Sequence, residues 1–323
     1  MGTGPLQWCA HPQLASGEAL SWWLHRFAWA NAVSNHTFAH AIFGSRAFWP
    51  RDVDRFGLTA PLLERLLDLG VSQARLEAAT LRHYEGTLFP CLTTGGWLPW
   101  ITPVGVYHRI QRHHGHAYCP RCLNEGRPVQ IAGRVAYEVA CLKHMSVLRD
   151  GCPHCDAPIA FARVPLSRHG RFPCPTCGAN LASAPHQPLS VLAYAFEHRC
   201  HAVLRRGFIQ LGELRVPTPA FFEGARILLR GLYGRKFLNG VTDGSITRSL
   251  RWPDEPRPTV PFEYWRLTMR MRALAALEAY LTEWPERLLA DANRSHVYRC
   301  RFEVGGPIVG PSWVTQVLEA LPH

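Results

Sequence analysis

Between Cys119 and Cys177 the chain repeats one ligand spacing twice. Cys119, Cys122, Cys141 and His144 read C-x2-C-x18-C-x2-H; Cys152, Cys155, Cys174 and Cys177 read C-x2-C-x18-C-x2-C, each 33 residues after its counterpart. A C-x2-C step turns two thiolates toward one point, and a second step returned by a hairpin completes the tetrahedron that zinc prefers. The pattern therefore predicts two structural zinc ions. Every coordination position is filled by a protein ligand, which leaves none open for a reacting water and makes the sites folding devices rather than catalysts. Disulfides are the rival, but no secretory segment is read at the N-terminus, and a cytosol keeps thiols reduced. Sequential pairing is favoured by the repeat; Cys141 and His144 sharing a metal with Cys152 and Cys155 stays open.

At 323 residues the chain has room for two or three domains. The longest apolar stretch, LSWWLHRFAWANAV, is interrupted by His25 and Arg26, so no bilayer span is expected and the protein reads as soluble and cytoplasmic. The formal charge is +11. Seven thiolates and two dications change it by −7 and +4, to about +8 once loaded. A basic surplus of this kind suits contact with nucleic acid or a nucleoprotein.

The sequence divides into an N-terminal helical part at 1–110, tandem metal modules at 111–186 and a helical part at 187–323. Leu20, Trp23, Leu24, Phe27 and Ala28 recur at helical spacing and predict a helix to about Ala32, with Trp22, Trp23 and Phe27 in the core. Ser34 caps a second helix that Gly44 ends. In TAPLLERLLDLGVSQARLEAAT, Thr59 caps a helix with Pro61 in its first turn, Gly70 ends it and Ser72 caps the next, the layout of a helix-turn-helix. If that pair meets DNA, Ser72, Gln73 and Arg75 face the groove and Arg82 stands near phosphate; an ordinary helical hairpin explains the pattern as well. Arg109 and Arg112, ahead of the first ligand, are further candidates for phosphate contact. Alternation over Gly133 to Val139 predicts a strand, and PIAFARVPLSRHGRFP a strand, turn and strand. Beyond Pro188 come a helix through Leu189 and Leu204, one over Ala220 to Tyr233, a long one over Pro261 to Tyr280 carrying Arg266 and Arg270 on one face, one opened by Pro285 and a last capped by Ser312. Loops are expected at 234–244 and 252–261.

GEALSWWLHRFAWAN, the HAYCPRCLNEG step, the CLKHMSVLRDGCPHC junction and the closing CPTCG resemble the TniQ/TnsD family of transposon target-selection proteins over about residues 15–180. Gly17, Glu18, Leu20, Trp23, Leu24 and Arg26 fit that family's opening helix. Cys119, Pro120, Cys122 and Leu123 fit its first ligand step, and Cys141, His144, Leu148, Cys152 and Cys155 the next. Ala19, Trp22, Tyr118 and Leu142 depart from it, and none of the four is a ligand. The resemblance implies a mainly α protein with small β elements: an N-terminal helix-turn-helix-like domain, two zinc-ribbon modules and a C-terminal helical domain. It also implies a non-enzymatic adaptor that meets target DNA or an RNA-guided CRISPR effector complex, recruits an AAA+ ATPase and a transposase, and pairs in some members as a homodimer. A zinc-containing helix-turn-helix transcription regulator is the alternative. An enzyme is disfavoured by the lack of a nucleophile triad, a phosphate-binding glycine loop or an acidic metal triad.

Overall fold

The computed structural model describes residues 8–44, 52–56, 58–93, 95–107, 110–164, 172–232, 260–294, 296–303 and 309–322. Arg109 and the loops expected at 234–244 and 252–259 lie outside them. The chain is mainly helical with three two-stranded antiparallel sheets among the described residues, and it forms two compact units, 1–85 with 90–187 and 86–89 with 188–323.

In the first unit, α1 (Leu20–Ala30) buries Leu20, Trp23, Leu24 and Phe27 completely, so the apolar stripe is core as expected. At α2 (Asn35–Phe43) the Ser34 hydroxyl accepts the Thr37 amide at 3.1 Å, and Gly44 leaves the helix at φ 66°. Three short helices follow: α3 (Val53–Phe56), α4 (Ala60–Leu67) and α5 (Gln73–Ala78). Gly70, at φ 82°, turns the chain between the last two, and Leu66, Val71 and Leu76 insert into the core made by α1 and α2. Thr59 and Ser72 occupy the N-cap positions, but neither side chain makes a capping hydrogen bond.

The cysteine segment is held to these helices by backbone bonds, Ala19 N to Val129 O at 3.0 Å and Ile131 N to Gly17 O at 2.8 Å. It is also held by a buried ionic cluster at the start of α3. Arg134 donates to both oxygens of Asp52 at 2.8 and 2.7 Å and to Asp54 at 3.2 Å. Asp54 accepts the Ser21 amide at 2.8 Å and hydroxyl at 2.9 Å, and lies 3.2 Å from His116 Nε2. Burial alone would raise the Asp54 pKa, but His116, Arg134 and Ser21 outweigh it and hold the carboxyl below its ordinary value.

Strand β1 (Val106–Tyr107) pairs with β2 (Ile110–Gln111), α6 (Pro120–Asn124) carries the first ligand pair onward, and β3 (Ala140–Cys141) pairs with β4 (Ser146–Val147). The strand expected over Gly133 to Val139 is absent. Residues Ile131–Arg134 form a 3-10 turn, because the Arg134 guanidinium is drawn into the ionic cluster and Gly133 lies so close to the backbone that an added Cβ would meet Ala117 O at 2.2 Å. Val135, Ala136, Tyr137 and Val139 are all fully buried, so the alternation marks no exposed face. The first strand expected in PIAFARVPLSRHGRFP is likewise a 3-10 turn, Phe161–Arg163, and 165–171 lie outside the described residues.

In the second unit, α7 (Val191–Arg206) starts from a Ser190 cap and ends at Gly207 in the left-handed region, leading into the hairpin β5 (Phe208–Leu211) and β6 (Leu214–Pro217). The next helix, α8 (Thr218–Leu232), packs Phe221 against Trp313 and lets Phe302 approach Gly231 so closely that a Cβ there would meet the ring at 2.0 Å. The long helix expected from Pro261 is split: Phe262–Tyr264 form a 3-10 turn, and α9 (Leu267–Thr282) starts after an Arg266 N-cap. The Trp265 indole, which donates to Val260 O at 2.9 Å, holds the break. Helices α10 (Glu286–Arg294) and α11 (Ser312–Glu319) complete the unit, the latter capped by Pro311 with Ser312 already inside the helix. Among the described residues no helix is long and apolar enough to cross a membrane.

Candidate metal centres and contact residues

The eight expected ligands converge in the sequential pairing. Cys119, Cys122, Cys141 and His144 form one cluster and Cys152, Cys155, Cys174 and Cys177 another, with the ligand atoms of each within 4.8 Å of one another. In the first, His144 Nδ1 lies 3.3, 3.4 and 3.5 Å from the three sulfurs, and Cys122 and Cys141 are 3.6 Å apart. In the second, Cys152–Cys177 and Cys155–Cys174 are each separated by 3.7 Å. A tetrahedral zinc with bonds of about 2.3 Å to sulfur and about 2.0 Å to nitrogen sets such edges at about 3.8 and 3.6 Å. A disulfide would need about 2.05 Å. The donor set and its spacing fit zinc, and both clusters could hold it.

Each step is shaped by backbone as well as by cysteine. After the second ligand of three of the four steps the chain enters the left-handed region: Met145 at φ 47°, Asp156 at φ 57° and Gly178 at φ 74°. At the second cluster the two steps are near copies, with Asp156 N to Cys152 O at 3.0 Å and Gly178 N to Cys174 O at 2.9 Å. Amides also point at sulfur, His154 N to Cys152 and Thr176 N to Cys174, both at 3.4 Å, and such donors favour thiolate. Burial pushes the Cys152 thiol up to about 12, so binding a dication there must displace protons.

The two clusters differ in their surroundings. In the first, His144 Nε2 donates to Glu125 Oε1 at 2.8 Å, the carboxylate–histidine arrangement that orients a metal-bound imidazole. Lys143 and His144 together hold the Glu125 carboxyl down to about 2. Glu125, three residues after Cys122, is no part of the cysteine spacing and faces the fourth ligand. The second cluster has no histidine, and Cys155 and Cys177 are exposed.

The expected contact residues differ in exposure and in the partners they have within the chain. Ser72 is exposed at the start of α5, Gln73 donates to Glu77 at 2.9 Å, and the Arg75 guanidinium donates to the Leu14 carbonyl. Arg82 and Arg112 are exposed, and Arg266 is half-buried. Arg270 is fully buried and donates to Trp265 O at 3.2 Å, which removes it from any contact surface, whereas Arg266 stands outside the helix as its N-cap.

Closed four-ligand clusters set in a mainly helical chain are compatible with zinc-ribbon modules. The model of the TniQ family, a family of transposon-associated target-selection proteins, matches residues 9–148 of this chain. That match takes in the first cluster and ends before Cys152, short of the stretch to about residue 180 expected from the motifs. No curated protein matches the chain.

Proposed function

We propose that the chain is a non-enzymatic adaptor of transposon target-site selection, acting in the cytoplasm. It links target DNA or a DNA-targeting complex, an RNA-guided CRISPR effector among them, to an AAA+ regulator and a transposase. Each of its two clusters carries one structural zinc ion. The observation that supports the reading most is a closed Cys3His site inside the TniQ-matched segment and packed on its helices, which suits a rigid docking platform and offers no open coordination position for chemistry. The transcription-regulator alternative rests on α4 and α5, where Gln73 and Arg75 are engaged within the chain.

Deleting the gene should abolish targeted insertion while leaving the purified transposase able to cut and join transposon ends, and restoring it in trans should restore targeting. Undiminished targeting in the deletion strain overturns the proposal.

A further inference from the structure

We propose that a groove on the second unit, about 720 Å³ and formed by one face of α7 with β5, docks a segment of a protein partner that combines apolar side chains with a carboxylate. Along α7 the lining residues Val191, Ala195, His198, Ala202 and Arg206 recur every three or four positions, so they fall on a single stripe. From 191 to 206 are 15 steps of about 1.5 Å, so the stripe is about 22 Å long, the reach of a short peptide rather than of a metabolite. Its floor is apolar. Val191 is 79% exposed, Tyr194 and Phe208 are half-buried, and Ala195 and Ala202 are small enough for a partner's backbone to come close.

Charge selects the occupant. Among the described lining residues the sole carboxylate is Glu278 on α9, and both its oxygens are taken by Arg199, at 2.8 and 2.6 Å. Arg206 is exposed at the C-terminal end of the stripe and makes no hydrogen bond or ion pair among the described residues. His198, exposed at mid-stripe, offers a ring nitrogen. The groove therefore sets uncompensated positive charge beside apolar surface, which an acidic, apolar segment complements. A nucleic-acid strand would stack its bases on aromatic rings. Here the aliphatic Val191, Ala195, Ala202 and Ile209 outnumber Tyr194 and Phe208, which favours the peptide. The groove lies outside the TniQ-matched residues 9–148, so the inference goes beyond the adaptor reading and does not depend on it.

The test selects displayed random peptides of about 15 residues on the whole zinc-loaded chain, then measures the selected peptides by fluorescence anisotropy. Peptides combining Asp or Glu with Leu, Ile or Phe should be enriched, and should bind more weakly as salt rises. Arg206→Glu should weaken them about 10-fold, and exchanging the peptide's carboxylate for lysine should restore binding to that variant. Ala202→Trp, which fills the middle of the stripe, should weaken them too. Arg205→Glu, the same charge change at an exposed residue that does not line the groove, should leave affinity within about 2-fold. Thermal unfolding midpoints equal to wild type show that each variant has folded. No enrichment, enrichment of neutral or basic peptides, or acidic peptides indifferent to Arg206→Glu overturns the proposal. It is also overturned if an oligothymidylate displaces the selected peptides and is itself released by Arg206→Glu, which would make the groove a nucleic-acid site.

Discussion

Glu125 shows how much a single side chain outside the ligand set can carry. By donating to its carboxylate, the His144 ring is turned so that Nδ1, and not Nε2, faces the three sulfurs. Glu125→Ala should leave the chain folded in excess zinc but weaken metal retention by about 10- to 100-fold, read by competition with a coloured chelator. Unchanged retention would mean that the imidazole is oriented by packing alone. Asp54 gives the matching case in the core. Its pKa is depressed on folding, so its stabilising contribution is present above its unfolded value of about 3.9 and lost as pH falls through the lower folded value. Asp54→Asn should therefore cost about 3–5 kcal/mol at neutral pH by leaving Arg134 and His116 partly unpaired, as removal of one partner of a buried ion pair does. Denaturation midpoints of mutant and wild type should draw together below pH 4, and parallel curves would remove Asp54 from the linkage.

At the scale of elements, what could be read in advance was whatever has a local cause. The Ser34 cap, the Gly44 and Gly70 exits and the α1 stripe follow from neighbours a few residues away, and all are present. Elements shaped by distant partners were not legible. The Gly133–Val139 segment alternates like a strand, yet its conformation is decided by Asp52 and Asp54, about 80 residues earlier in the chain. Arg270 sits at the spacing of an exposed basic face, and only packing of the second unit shows it to be interior. The ligand sets were legible because metal chemistry imposes its own short-range spacing. Close packing also yields a prediction for α8: Gly231→Ala places a methyl group against the Phe302 ring and should cost about 1–3 kcal/mol, measured by thermal unfolding. A neutral outcome would show that the ring can swing aside.

For the whole molecule, the division into two units sets what metal removal should do. The first unit carries both clusters, whereas the second has a core of its own around Phe221, Phe222, Leu228, Tyr280 and Trp313. Structural zinc supplies roughly 10–16 kcal/mol of apparent binding energy, more than a typical domain's net stability. Stripping the metal with a strong chelator should thus unfold the first unit and spare the helical signal of the second. Cys119→Ser and Cys152→Ser should reproduce that loss without chelator, and elemental analysis of the native chain should find two zinc ions. A chelated chain that keeps all its amide-exchange protection would refute the scaffold role.

Arg134 lies between Cys122 and Cys141 in the chain, yet its guanidinium finishes among the carboxylates at the start of α3. If zinc fills the first cluster, closing the hairpin around it and seating the helices should be a single cooperative event. Polypeptide made while that cation is scarce should keep two acidic groups stranded and be digested faster by a protease than the loaded chain. Micronutrient supply would then govern how many folded copies a cell holds.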